Sequence, residues 1–374
     1  MKTIRRICTV MLLVLMAFPA LHAQSYDNLW KQLEEAREKS LPQTVIRLAD
    51  QIWQKAQTEK NAPQMLKAYV CRQACQKRIT PDSLYTSLAA MERWAQEEAD
   101  ETNRAILHSL LARQYADLLS TNRRTLLNSP SLLVDEAPAD VREWSLNLFI
   151  DRIDAHLQAS LQPVEALLHT TAADYDPFVI QQDGSRFYAH DLYHLLARRA
   201  VNTYQGWRGF NVDSLMDRRI KDVYQTMIAT YRQRPNAEDA VVMATLDYEQ
   251  WRADMQSPDG YLQTLDSLIA AYGTRDVCGE VYIRKAQWLN DKRRYAQALR
   301  VCDEGLKRYA AYKRIGELKN IRARILQPAL NIYTAEGYPS DSVSMRVNYR
   351  NLSGFTLNVY ATDYDERPWL DDGL

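Results

Sequence analysis

The sequence predicts a mostly α-helical protein, an α-solenoid of helical hairpins that ends in a short β segment. Three observations carry this reading. Glycine is scarce, at 11 of 374 residues, while 46% of the chain is hydrophobic. Ala, Leu, Gln, Glu and Arg, all good helix formers, are plentiful. From Tyr26 to about Gln327 apolar residues recur at helical spacing, and after Gln327 the period shortens to two. The length allows two or three domains.

The chain opens with MKTIRRICTVMLLVLMAFPALHAQ. Lys2, Arg5 and Arg6 form a positive stretch, Ile7 to Phe18 an apolar core, and Pro19 breaks it before the small residue Ala23. This is the pattern of a secretory signal peptide over residues 1–23. A membrane anchor would need a longer apolar run. No cysteine follows the apolar core, so the pattern gives no lipoprotein anchor. The expected location is the periplasm or cell envelope, with no transmembrane segment left after cleavage. The whole chain has 47 basic and 47 acidic residues; losing Lys2, Arg5 and Arg6 leaves 44 against 47, a net charge of −3. That balance argues against nucleic acid as a partner, which usually calls for a basic excess.

Residues 24–327 are expected to form the helical repeat domain. YDNLWKQLEEAREKS places Leu29, Leu33 and Ala36 on one stripe, with Trp30 beside them. Pro42 suits the first turn of the next helix because its φ is already helical. That helix presents Val45, Ile46, Ala49, Ile52, Trp53 and Ala56. NAPQMLKAYVCRQACQ follows after a short break, which predicts antiparallel neighbours. Asn122–Asp140 and the stretch HTTAADYDPFVIQQDGSRFYAHD lose the period, and prolines punctuate both, so they read as long loops. AVVMATLDYEQWR and YLQTLDSLIAAYG read as another pair.

The clearest repeat is VYIRKAQWLNDKRRYAQALRVCDEGLKRY. Tyr282, Ala286 and Leu289 mark one helix; Tyr295, Ala298, Cys302 and Gly305 mark the next. This resembles the tetratricopeptide repeat. Helices approach closely only where side chains are small, and Ala286 and Ala298 occupy those positions, with Tyr295 expected to fill the gap beside them.

Residues 328–374 are expected to be β. Val343, Met345, Val347 and Tyr349 alternate with polar residues, and so do Phe355, Leu357, Val359 and Ala361. Asn351 to Gly354 would make the turn between two strands. Both strands would present an apolar face that a second layer must cover, because an isolated hairpin is marginal in water.

Sites of chemistry are few. His190 and His194 in HDLYH stand four apart, the spacing zinc peptidases use on one helix face. Those enzymes carry a glutamate base directly after the first histidine; here that position is Asp191, and no third ligand follows. Core histidines are the expected reading, with a metal-dependent hydrolase as the weaker alternative. Cys8 leaves with the signal peptide. Cys71, Cys75, Cys278 and Cys302 remain in an exported chain, where oxidation is open to them. A bond between Cys71 and Cys75, four apart on one helix, would be strained, so all four are expected as small buried apolar groups. The chain holds no phosphate-binding glycine loop, dinucleotide fingerprint or nucleophile elbow. The 22 tyrosines and 8 tryptophans at helical spacing read as packing. No catalytic residue, cofactor or metal ligand is therefore expected.

The segment order resembles the N-terminal part of the large bacterial alpha-2-macroglobulin-like proteins. A signal peptide leads, helices beginning YDNLWKQLEEAREKSLPQTVIRLADQIWQKAQTEKNAPQMLKAY follow with HDLYHLLARRA among them, and SVSMRVNYRNLSGFTLNVY comes last. The resemblance implies an incomplete macroglobulin-type β-sandwich at residues 328–374. It also implies a non-catalytic module of a protease inhibitor or trap, meeting proteases through domains further along. Thioester members carry Cys-Gly-Glu-Gln. Here Cys278 to Val281 read CGEV, and Val281 has no side-chain carbonyl for a thioester. A bait region is equally without a counterpart. On this resemblance the chain ends where sandwiches should begin, so a fragment or split frame is expected. The alternative is an exported tetratricopeptide-like scaffold that binds another protein.

Overall fold

The computed structural model describes residues 25–131, 137–180, 190–255, 260–334 and 344–358. The expected signal peptide and the end of the expected last strand, 359–361, lie outside them. Among the described residues the fold is mostly helical as expected, at 73% helix with 15 α-helices, and a two-stranded antiparallel sheet lies near the C-terminal end. Contacts divide the chain into two compact units that meet between Trp251 and Arg252.

In the first unit, α1 (Tyr26–Glu38), α2 (Pro42–Glu59), α3 (Ala62–Ile79), α4 (Ser83–Glu97) and α5 (Glu101–Thr121) each touch the next. Local chemistry sets their starts. The Ser25 hydroxyl accepts the Asn28 N–H, the Asn61 side chain accepts that of Gln64, and Asp100 accepts that of Asn103. Each satisfies a donor that the first turn leaves open. Pro42 stands in the first turn of α2, as its fixed φ suggests.

Leu29, Leu33 and Ala36 of α1 pack on Val45, Leu48, Ala49 and Ile52 of α2 and Ala68 of α3. Cys71 and Cys75 pack half-buried against this cluster as free thiols, less covered than expected. The reason is positional: they lie toward the exposed C-terminal half of α3.

Helix α5 is buried on several sides, through Ala105, Ile106, Leu107, Leu111, Ala112, Tyr115, Leu118 and Leu119. That requires cover from more than its chain neighbours. The cover comes from α7 (Leu146–Leu161), α8 (Val164–His169) and α9 (Leu192–Gln205). Helix α9 packs in turn on α10 (Asp213–Arg232).

Both expected loops carry structure. The first contains the short α6 (Arg123–Asn128) and leads into a 3-10 turn at Val141–Glu143. The second contains a 3-10 turn at Ala172–Tyr175, opened by a Thr171/Asp174 capping box. Thr171 and Asp191 then form an isolated antiparallel bridge. Turns this short lack the two periods that a sequence pattern needs to show itself.

Helix α11 (Glu238–Met255) runs across the division. The second unit holds α12 (Tyr261–Tyr272), α13 (Cys278–Asp291), α14 (Tyr295–Arg308), α15 (Gly316–Leu326), β1 (Ala329–Thr334) and β2 (Met345–Arg350). Helices α13 and α14 pack on each other, with Ala286 and Ala298 fully buried. Gly305 is needed at the same layer: a Cβ there would lie 2.6 Å from Leu318 Cδ1 and 3.0 Å from Tyr282 Cδ1. Tyr295 is only half-buried and does not fill the gap. The Arg350 guanidinium lies over its ring instead, 5.4 Å from the centroid.

The β pairing differs from the expected hairpin. Strand β2 pairs with β1, not with 355–358: Leu330 faces Tyr349, Ile332 faces Val347 and Thr334 faces Met345. Residues 355–358 are not a strand. The physical reason lies at the expected turn. Arg350 Nη2 donates to the Arg324 carbonyl at 2.7 Å, and Asn351 Nδ2 donates to the carbonyls of Ile325 at 2.5 Å and Gln327 at 3.2 Å. These side chains satisfy carbonyls that the end of α15 leaves open. Asn351 takes positive φ to do so, and the chain is held at the helix end instead of folding back on β2.

Candidate functional site

The strongest constellation of polar and aromatic side chains lies in the first unit, between α4 and the segment leading into α7. Tyr85, Ala89, Glu92, Arg93 and Gln96 follow the three-to-four spacing that puts them on one face of α4. Opposite them stand Pro138, Arg142, Trp144 and, from α7, Arg152. The groove between has a volume of about 740 Å³. That falls in the range of ligand clefts.

Trp144 and Tyr115 line its floor, at one end of a stack of three rings that continues beneath it to His156. Trp144 lies on Tyr115 with centroids 5.4 Å apart and planes 9° apart. Tyr115 lies on His156 at 5.6 Å and 13°. Trp144 is locked by its indole N–H, which donates to the Pro138 carbonyl at 2.7 Å. The Arg152 guanidinium lies over the same indole, 5.5 Å from its centroid. On the other side Arg142 holds Asp140 through both carboxylate oxygens and lies over the Tyr85 ring at 5.1 Å.

Behind the stack runs a polar chain. The Tyr115 hydroxyl donates to Glu92 Oε1 at 2.7 Å, and His156 Nε2 meets the same oxygen at 3.1 Å. His156 Nδ1 meets His108 Nδ1 at 2.9 Å. Burial pushes the Glu92 carboxyl up, but the hydrogen bond and charge of His156, the Tyr115 hydroxyl and Arg152 outweigh it and hold the group below the usual range. Burial, then the neighbouring His156, pushes the His108 imidazole down to about 4. Burial and the Glu92 carboxylate push the Tyr115 hydroxyl up. An ionised Glu92 makes His156 Nε2 a donor. At the Nδ1–Nδ1 contact one ring must donate and the other accept, so protons on both nitrogens would set two N–H groups against each other.

His190 and His194 do not share a helix face. Helix α9 begins at Leu192, Asp191 is its N-cap, and His190 precedes it in the left-handed region with φ of 60°. His194 is buried, only 2% exposed. Burial above all, then Arg198 and His190, lowers its imidazole to about 3. Asp191 accepts the His194 backbone N–H at 2.8 Å and the Tyr231 hydroxyl at 2.8 Å and 3.0 Å. Burial raises the Asp191 carboxyl, with those bonds opposing. Among the described residues no three His, Cys, Asp or Glu side chains group as a metal site would need.

The CGEV stretch is structural. Cys278 is buried and its thiol donates to the Tyr272 carbonyl at 2.9 Å. Glu280, 1% exposed, takes Arg314 Nη1 at 2.6 Å and the Tyr312 hydroxyl at 3.1 Å. Gly279 lets the Tyr312 ring lie against the helix, since a Cβ there would come within 2.6 Å of it.

Nothing in the sequence marks the groove or the polar chain behind it as a site. His108 and His156 stand 48 positions apart, and Glu92 and His156 stand 64 apart. No spacing rule joins side chains over such separations. The signal available was Trp144, an aromatic at the end of a proline-broken stretch where a loop should be polar.

Against known family models, curated proteins and solved structures, the chain finds no match. Among the described residues no helix is long and apolar enough to cross a membrane.

Proposed function

We propose that this chain is a non-catalytic exported helical module that acts by protein contact, in the manner of the helical region that precedes the β-sandwiches of alpha-2-macroglobulin-like protease inhibitors. One observation carries the reading. Strands β1 and β2 gather Leu330, Ile332, Met345, Val347 and Tyr349 on a single face. Leu330 and Ile332 are each 41% exposed, Met345 37% and Tyr349 61%. Phe355 and Leu357, also exposed, follow beside them. A two-stranded sheet is marginal by itself, and an apolar sheet face open to water marks a contact for another layer. A β-domain is the layer that fits, because sheets pack face to face through alternating apolar residues.

The deciding experiment is peptide mapping of the protein isolated from its native source. Peptides that continue past Leu374 into alternating β sequence are the expected result. A mature protein that ends at Leu374 removes the macroglobulin reading. It leaves a tetratricopeptide-like binding scaffold, a reading favoured by the successive contacts of α1 to α5 and by the small residues where α13 meets α14. A monomeric, protease-resistant chain of residues 24–374 would support that second reading.

A further inference from the structure

We infer that the groove between α4 and the α7 lead-in binds an extended acidic peptide segment with an aromatic side chain. The inference takes from the proposed function only that the chain works by protein contact, and it concerns a different surface. Charge complementarity names the occupant. Of the charged groups on the walls, Asp140 is already held by Arg142 through both oxygens. Glu92 Oε1 already takes Tyr115 and His156. Arg93 is exposed, and Arg152 comes no closer than 3.9 Å to Glu92. Two guanidiniums therefore present donors to the groove with no acid among the described residues fully engaging them. Their planar forks match carboxylates in paired hydrogen bonds.

The aromatic surfaces name the other half of the ligand. Tyr85 and Trp144 line the groove, and both are held in place, one under Arg142 and one by Pro138 and Tyr115. Rings held this way favour a planar side chain, since aromatic pairs attract each other beyond their area burial. An acidic peptide suits the site better than a polyanion such as nucleic acid. Three arginines line the groove, one of them already paired with Asp140, in a chain with balanced charge, whereas a polyanion site needs a basic stripe.

The test is fluorescence anisotropy on the full chain with a labelled peptide, Glu-Asp-Tyr-Asp-Glu. The controls are its neutral counterpart Gln-Asn-Tyr-Asn-Gln and a short polyphosphate. The acidic peptide should bind, weaken as salt rises, and bind at least about tenfold tighter than the neutral one. Arg93→Glu with Arg152→Glu should weaken it at least about tenfold. Arg93→Gln alone, at an exposed position, should weaken it several-fold and keeps the test decisive if the double variant does not fold. Absence of peptide binding up to millimolar concentration overturns the inference. So does equal binding of the neutral peptide, or unchanged affinity in the variants. Polyphosphate binding tighter than the acidic peptide, with the same arginine dependence, overturns it in favour of a polyanion site. None of these results bears on whether residues follow Leu374.

Discussion

His108 Nδ1 and His156 Nδ1 face each other at 2.9 Å across the contact between α5 and α7. That bond needs a lone pair on one ring and a proton on the other, so two imidazolium rings cannot form it. The groups facing His108 are His156, Glu92 and Arg104, and burial together with His156 and Arg104 outweighs the carboxylate.

The fold should therefore weaken in mild acid. His108 titrates at about 4 in the fold, against about 6.5 in an unfolded chain. His194 is lowered to about 3 in the same sense. Between these values the unfolded chain binds protons that the folded chain does not. Stability is therefore complete above about pH 6.5 and declines as pH falls toward 4. Thermal melts at pH 7, 6 and 5 check this, and His108→Gln should make the decline shallower. Each kcal/mol lost lowers Tm by roughly 2–4 °C for a unit of this size. Identical slopes in the two proteins would sink the assignment to His108.

Asp191 ties the start of α9 to α10. Asp191→Ala removes the N-cap and leaves the buried Tyr231 hydroxyl without its acceptor. The expected cost is about 2–4 kcal/mol by urea unfolding. Tyr231→Phe should cost about 1 kcal/mol. If Asp191→Ala is neutral, the carboxylate does not cap the helix in solution.

Small residues at the close helix contacts of the second unit should resist enlargement. Gly305→Ala sets a methyl group against Leu318 and Tyr282, and Gly279→Ala sets one against the Tyr312 ring. Each should cost about 1–3 kcal/mol. Gly316→Ala meets nothing within 4 Å and should stay within about 0.5 kcal/mol of the parent. Equal effects at all three positions would contradict the packing.

His190 and His194 should not hold zinc. One precedes α9 and the other is buried within it. Elemental analysis after dialysis against added zinc should give well below one metal per chain, with His194→Ala lowering stability and not metal content. Stoichiometric zinc lost in that variant would restore the hydrolase reading.

Local physics determined much of this protein from the sequence alone. The helices at Tyr26–Glu38, Pro42–Glu59 and Cys278–Asp291 follow from their own apolar period, and Pro42 sits in the first turn its ring favours. The burial of Ala286, Ala298 and Gly305 follows from the need for small side chains where helices meet. The change from period 3.6 to period two announced strand after Gln327, but alternation marks a face and not a partner. Only the tertiary structure decided that β2 pairs with β1, because Arg350 and Asn351 are drawn to the open carbonyls of α15. The groove was equally beyond the sequence. Glu92 comes from α4, His108 and Tyr115 from α5, Trp144 from the segment before α7 and His156 from α7, and their contacts exist only once α4, α5 and α7 have packed. Periodicity is a property of one segment; a site is a property of several.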